Sequence, residues 1–580
     1  MSLETTLKKI LSDAFTAVAA SATDDDSSVE PVDPQLHASK HADFQADAAM
    51  RLAKILRSKP RDIAQSVADG LQGNALLEQV EVAGPGFLNI TLSNRAVDQA
   101  LAELAVDERL GVEQPESGTI IVDYSSPNVA KEMHVGHLRS TIIGDACVRL
   151  LEWQGHTVIR RNHIGDWGTP FGMLIEHLLD LGEANATDAL SVGDLNTFYR
   201  GARDKFEADS VFQDRARTRV VKFQGGDQET LRLWKILIEQ SQRYFVDVYG
   251  LMDVRLDGTE FYGESKYNDA LEDTITELKG KNLIVDSDGA ECLFPEGFTN
   301  RDGDPLPLIA RKSDGGFGYA TTDLAAIRQR TGELHADRIL YVVGAPQNQH
   351  LEMIFAAARS AGWLTPPASA EHIAFGSVLG SDGKMFKSRS GETVKLASLL
   401  EEAVRRARDK VREKNPDLDA DELEAIAQAT GIGAIKYADL SSERTRDYVF
   451  DYDRMLAAEG NTAPYLQYAH ARIKSMLRKA GATAAPGEIR IAEPSERQLA
   501  LLLARFPDVI ANVEKTLLFH QLAQYLFDVA TAFSSFYANC QVLLPDDQET
   551  TASRLALSQL VARTLTTGLG FLGIRTPERM

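Results

Sequence analysis

An α/β fold is predicted, a parallel nucleotide-binding sheet with insertions, preceded by an N-terminal α+β domain and followed by a C-terminal all-α helix bundle. Residues 119–160 (TIIVDYSSPNVAKEMHVGHLRSTIIGDACVRLLEWQGHTVIR) read as strand, loop, helix and strand, the unit from which parallel sheets are built. Residues 338–344 (RILYVVG) supply a further apolar strand of the parallel type. Beyond about residue 460 the apolar residues recur only at helical spacing, which predicts the bundle.

From the N-terminus, residues 3–20 form an amphipathic helix with Leu7, Ile10, Leu11, Phe15 and Val18 on one stripe. Residues 22–34 (ATDDDSSVEPVDP) are acidic and loop-like. Residues 44–58 and 61–71 are helical, and strands 80–82 and 87–92 flank Ala83-Gly84-Pro85-Gly86. These make an N-terminal domain over 1–112. In the central unit, Pro127 blocks continuation of strand 119–123. Leu138, Ile142, Ile143, Ala146, Leu150 and Leu151 then mark a helix from about His137, closed by Gly155. The catalytic part spans 113–400, with polar, turn-rich insertions near 182–226 and 286–307 and a helical stretch at 228–249. Residues 316–328 resume the main fold. Gln347, Asn348, Gln349 and His350 follow strand 338–344 at its C-terminal end, where ligands bind in such sheets. Residues 394–409 and 421–428 are helical within a junction, 401–460. The C-terminal domain, 461–580, holds a helix over 463–479 with Tyr465, Tyr468, Arg472 and Arg478 on or near one face, a linker at 481–494, and helical stretches 497–539 and 551–569.

At 44% hydrophobic and 25% charged residues the composition is that of a multidomain globular protein. No transmembrane run or secretory leader is evident, and a cytoplasmic location is expected. Cys147, Cys292 and Cys540 lie far apart without C-x-x-C spacing, which argues against structural zinc or a disulfide framework. The net charge of −22 is awkward for an RNA partner only at first sight, because polyanions respond to local patches. Residues 461–580 carry 12 Lys and Arg against 10 Asp and Glu, whereas residues 1–112 carry 10 against 17. The C-terminal part is the better candidate for RNA contact.

Chemistry concentrates in two loops. His134-Val135-Gly136-His137 places two imidazoles on the first turn of a helix, with a glycine between them that keeps the backbone approachable. The helix N-terminus adds N–H groups and partial positive charge, which suit phosphates. Lys384, 250 residues after His134, opens the glycine-bounded basic loop Lys384-Met385-Phe386-Lys387-Ser388. Its two ammonium groups can follow negative charge as it develops. Together these loops resemble the two signatures of class I aminoacyl-tRNA synthetases, the second departing from K-M-S-K-S only at Phe386. The run from Ser125 to Thr141, Gly165-Asp166-Trp167-Gly168-Thr169-Pro170-Phe171-Gly172, Tyr437-Ala438-Asp439-Leu440-Ser441, Glu459-Gly460-Asn461-Thr462-Ala463-Pro464-Tyr465 and the ending Pro577-Glu578-Arg579-Met580 resemble the arginyl-tRNA synthetase family, in its order and across nearly the whole chain.

The resemblance implies a Rossmann-like class I catalytic domain that activates L-arginine with ATP and Mg2+ and passes it to the 3′ end of tRNA(Arg), acting as a monomer. It assigns His134, Gly136, His137, Lys384, Lys387 and Ser388 to ATP, with Lys131 a further catalytic cation. Arginine would be held by Asp123, Ser126, Pro127, Asn128, His137, Tyr319, Asp323 and Gln347: Asp323, Tyr319 and Asp123 at the guanidinium, which wants paired acceptors, and Asn128 and Gln347 at the α-amino and carboxylate end. Contact with tRNA would involve Phe87 and Asn89, with Asn461, Tyr465, Tyr468 and Arg472 in the C-terminal domain. Trp167 is expected to pack rather than bind. A class I synthetase for another amino acid shares these signatures, and so does a small nucleotidylyltransferase. The latter has no use for the helical residues after the catalytic loops.

Overall fold

The structure is a computed structural model and describes residues 2–21, 30–182, 195–386, 394–481 and 488–580. The chain divides into two compact units. One comprises residues 1–114, 458–569 and 575–580, the other 115–457 and 570–574.

In the first unit, helix Leu3–Ser21 buries Leu7, Leu11, Phe15 and Ala19, one residue per turn. Strands β1 (Leu36–Ala38), β2 (Phe44–Ala46), β3 (Leu77–Ala83) and β4 (Phe87–Leu92) form an antiparallel sheet in the order β1-β2-β4-β3. The helix expected from residue 44 therefore starts later, at Ala48–Leu56, because Phe44 and Ala46 turn inward and pair with Ile90 and Leu88. The stretch 497–539 is three helices, Pro494–Ala504, Phe506–Thr516 and Phe519–Asn539. Pro507 cannot donate to the preceding turn, and Leu517 ends the second helix with a left-handed φ of 53°. Both ends of the chain knit together here. Arg497 donates to the Asp43 carboxylate and to the Leu92 carbonyl, and Arg563 donates to the carbonyls of Ala105 and Asp107.

The second unit is organised by β5 (Thr119–Asp123) and β6 (Thr157–Arg161), which flank helix Val135–Trp153. The region 286–307, expected as turns, contributes to an antiparallel sheet of β7 (Val285–Ser287), β8 (Ala290–Leu293) and β9 (Leu308–Arg311). With β10 (Arg338–Tyr341) and β11 (Ser369–His372), β5 and β6 form an all-parallel sheet ordered β11-β10-β5-β6. The chain runs from β5 outward to β6 and later returns on the other flank with β10. The C-terminal ends of β5 and β10 therefore border a topological switch point, where ligands sit in such sheets.

Around this sheet, the described part of the 182–226 insertion is helical, Leu195–Ala208 and Ser210–Gln224. Arg215 and Arg219 of that insertion hold Glu176 of helix Pro170–Leu181. Residues 420–440 are one helix through two glycines, Ala420–Leu440. A Cβ at Gly431 would come within 2.7 Å of the Val404 backbone, so the glycine lets this helix press directly on helix Leu396–Lys414. All three cysteines are buried and unpaired. Among the described residues no helix is long and apolar enough to cross a membrane.

Candidate active site

Between β5 and the helix that follows, Ser125, Ser126 and Ala130 adopt positive φ angles of 72°, 47° and 60°. Such backbone persists only where its surroundings over-determine it. The Ser125 amide donates to Ser140 Oγ (2.8 Å), and the Ser125 hydroxyl pairs with Tyr249 (2.7 Å). The Ser126 amide donates to Asn162 Oδ1 (3.0 Å) and the Ala130 amide to Ser241 Oγ (2.9 Å). Asn162 Nδ2 donates in turn to Tyr249 (2.9 Å). Asn128 forms a parallel bridge to Gly165, so the Gly165–Gly172 run acts as a brace for this loop. Trp167 packs against Phe223 and Trp234, in keeping with the expectation that it packs rather than binds.

His134 is the N-cap of helix Val135–Trp153, accepting on Nδ1 from the Gly136 amide at 3.0 Å. His137 reaches back and accepts on Nδ1 from the His134 amide at 3.1 Å, which closes a capping box. Their rings lie 4.1 Å apart, tilted by 43°. Burial depresses both imidazoles below their usual range. The His134 ring and Lys131 reinforce that on His137, which falls to about 3, and Lys131 reinforces it on His134. Both rings are neutral at pH 7, and with Nδ1 accepting, each carries its proton on Nε2. Two neutral donors thus stand at a helix N-terminus. A Cβ at residue 136 would lie 2.7 Å from the His134 ring, so the glycine in H-x-G-H preserves this cap.

Lys131 lies close enough to lower both histidines, and its Nζ sits 4.4 Å over the Tyr199 ring of the insertion helix. Lys384 is exposed on a hairpin turn in which Leu379 bridges Met385. Lys387 and Ser388 lie outside the described residues. Where the chain resumes, the Val135 amide donates to Val394 O, the Leu396 amide to Met133 O, and Lys395 pairs with buried Glu132 at 3.0 Å. The C-terminal flank of the second signature is therefore stitched to the first. Phe386, the departure from the family pattern, stacks 5.1 Å from buried Phe450.

At the switch point lies a cavity of about 390 Å3, lined by Asp123, Ser126, Tyr319, Asp323, Gln347 and His350 among others. Of the residues expected at arginine, Asp123, Ser126, Tyr319, Asp323 and Gln347 meet here. Pro127, Asn128 and His137 do not line it. Asp123 is spent: buried Arg330 takes Oδ2 and Ser126 Oγ donates to Oδ1. Asp323, by contrast, is paired among the described residues only with His350, whose Nε2 stands 2.6 Å from Oδ2.

Sequence reasoning missed Glu264. Burial, with Asp166 and then Asp323 nearby, raises its carboxyl to about 7, and it makes no side-chain hydrogen bond or ion pair among the described residues. The Gly263–Ser265 turn that carries it is fixed by Asp166, whose carboxylate accepts from the Ser265 amide and hydroxyl at 2.8 and 2.7 Å. The only local signal is an acid between two small residues.

The residues expected at tRNA lie in the first unit. Phe87 opens β4 and is half-buried, while Asn89 is buried under Ser39. Thr462 caps helix Ala463–Lys479, Asn461 donates to Gln524, and Tyr465 reaches Ser534. Tyr468 and Arg472, one turn apart, are exposed, and the Arg472 guanidinium lies 4.2 Å over Tyr537. That mix of aromatic and cationic surface suits stacked bases and phosphates.

Three family descriptions match the chain: "Arginyl tRNA synthetase N terminal domain" over residues 1–92, "tRNA synthetases class I (R), catalytic domain" over 98–452, and "DALR anticodon binding domain" over 466–580. The arginine–tRNA ligase of Thermobifida fusca is 54% identical over 94% of this chain and 95% of its own length. That of Klebsiella pneumoniae (strain 342) is 46% identical over the full length of both. Among solved structures, the arginyl-tRNA synthetase of Plasmodium falciparum superposes with a TM-score of 0.83 at 29% identity, covering 99% of both chains. That of Thermus thermophilus gives 0.78 at 27% identity, covering 99% of this chain and 100% of its own.

Proposed function

The chain belongs to the class I arginyl-tRNA synthetase family, and from that premise we propose how its residues divide the work. The enzyme activates L-arginine with ATP to arginyl-adenylate and transfers arginine to tRNA. We take ATP to enter as its magnesium complex, the acceptor to be the 3′ end of tRNA(Arg), and the enzyme to act as a cytoplasmic monomer.

The arginine carboxylate attacks the α-phosphate in line, so the protein positions groups and stabilises charge. His134 and His137 donate from Nε2 to the phosphates. Their neutrality suits a donor that must not trap product by a full charge. Lys131, Lys384 and Lys387 supply the cations as charge moves to pyrophosphate, with Gly136 and Ser388 lining the nucleotide. In the cavity, Asp323 and Glu264 take the guanidinium and Tyr319 covers it. Asp123, neutralised by Arg330, serves as wall and as anchor for Ser126. Gln347 and Asn128 hold the α-amino and carboxylate end, with Pro127 shaping the turn between. Phe87, Asn89, Asn461, Tyr465, Tyr468 and Arg472 belong to tRNA contact; of these the exposed Tyr468 and Arg472 carry the reading best.

What supports arginine above other amino acids is a cavity carboxylate, Asp323, whose one side-chain partner among the described residues is an imidazole, within electrostatic reach of a second, Glu264, that has no partner among them. Such a site pays for itself only with a cation that offers several donors. ATP–pyrophosphate exchange with each amino acid, with and without tRNA, is the test. Exchange confined to arginine is expected, and exchange driven by another amino acid overturns the assignment.

A further inference from the structure

His350 stands on the first turn of helix Asn348–Ser360 and faces Asp323 on helix Tyr319–Gly332 across the cavity. Nothing in the reaction described above uses it. Yet it is the sole side chain among the described residues hydrogen-bonded to the carboxylate that meets the guanidinium. Resting on the reading of this cavity as the arginine site, we infer that His350 is a positioning residue for amino-acid selection: its Nε2–H pins Oδ2 of Asp323 and presents the remaining lone pairs to the guanidinium, and its own positive charge, when present, competes with arginine for that carboxylate.

The geometry argues for the first half. A guanidinium is a planar fork that pairs best with a carboxylate held in its plane. The Asp323 side chain is 27% exposed and otherwise free to rotate about its last bond. A hydrogen bond of 2.6 Å from one side removes that freedom and leaves Oδ1 open. The charges around His350 argue for the second half. From the facing helix comes Asp323, from the Gly263–Ser265 turn Glu264 with Asp166 behind it, from the end of β6 His163, and from the ends of β5 and β10 Tyr341 and the Asp123–Arg330 pair. Asp123 is already neutralised, so the charge that His350 feels is that of Asp323. The hydrogen bond to Asp323 raises the imidazole above its usual 6.5 in spite of burial. A raised value means the proton is held to higher pH than on a free imidazole and is shed as pH rises, and the shedding leaves the full charge of Asp323 to arginine.

Pyrophosphate exchange between pH 6 and 9 on the wild type, His350→Ala and His350→Gln tests this. His350→Ala is expected to raise the KM for arginine roughly tenfold, the loss of one hydrogen bond to a charged group, with kcat lowered less than about threefold and the KM for ATP unmoved. His350→Gln keeps a donor of similar reach and is expected to recover most of that KM. It also reduces the dependence of the arginine KM on pH from two protons to the one contributed by Glu264. A KM for arginine within twofold of wild type in His350→Ala, or a two-proton dependence retained in His350→Gln, overturns the inference. If the alanine variant does not fold, the slope in the glutamine variant decides. A wild type that exchanges with an amino acid other than arginine defeats the reading of the cavity instead, so the two failures are distinguishable.

Discussion

At the end of the site that we propose for phosphates the hydrogen bonds are made before any substrate arrives. His134 and His137 cap one another's helix turn, and Ser125, Ser126 and Ala130 are each pinned in positive φ by a partner from a different element. Burial depresses both imidazoles below their usual 6.5, His137 to about 3. At the amino-acid end the balance is left open. Among the described residues Asp323 leans on one histidine and Glu264 has no partner, its carboxyl raised to about 7 by burial and like charge. The difference follows from what each end must meet. Phosphates are the same in every class I reaction and reward fixed donors whose reorganisation cost is already met in the fold. A guanidinium must be told from every other side chain, and a pocket whose charge is completed only by that ligand makes the distinction.

The largest effect that sharpens this contrast is expected at Asp323. Asp323→Asn keeps the shape and removes the charge, and should lower kcat/KM for arginine in exchange by about 10³-fold, the cost of leaving one member of a buried charge pair alone. A loss under tenfold would mean that Glu264 does the recognising. Next is Lys387, outside the described residues. Lys387→Ala should slow activation by roughly 10²–10³-fold, as for the loss of one donor at developing charge, with the KM for arginine little changed. Unaltered exchange in that variant removes the role. Third is Gly136→Ala. The new Cβ meets the His134 ring at 2.7 Å and must displace the cap. We expect about a tenfold loss in kcat/KM for ATP, judged against the value of a positioned donor. Melting should change little, the gain from the better helix former, roughly 0.5–1 kcal/mol, offsetting the displaced cap. A fall in melting temperature with full activity would invert the assignment.

The two ends also differ in how far they could be read from residues alone. The phosphate end is local: strand, turn, His134 and His137 lie within 20 residues, and spacing along one helix turn suffices. The amino-acid end is assembled over distance. Asp323, Tyr319 and Gln347 were legible through the family's motifs, but the state of Asp123 was not, because the arginine that neutralises it is 207 positions away. Glu264 is placed through its neighbour Ser265, which Asp166 holds from 99 positions away, and no periodicity marks it. Asn89, which the family resemblance implies for a contact strand, is buried in β4 and accepts from Ser39. The same limit explains β7–β9, whose pairing outweighs a composition that reads as turns.

The smallest expected effect is on pH, and it separates the two ends most directly. Glu264 is raised to about 7, by burial first and then by Asp166 and Asp323. Below that value it is mostly protonated and offers a guanidinium nothing ionic; above it the carboxylate is formed. Arginine binding therefore expels this proton, and the KM for arginine should fall as pH rises through 7. If ionised Glu264 is required, that one group gives a fall of about threefold between pH 6.5 and 7.5, by the arithmetic of a single titration. Glu264→Gln should abolish that part of the slope. The histidines at the other end give no such dependence. Their values lie below the usual 6.5, His137 near 3, so both are already neutral throughout this window, and the KM for ATP should be flat across it. Should the KM for ATP follow the same curve as that for arginine, the two ends titrate as one site and the contrast drawn between them fails.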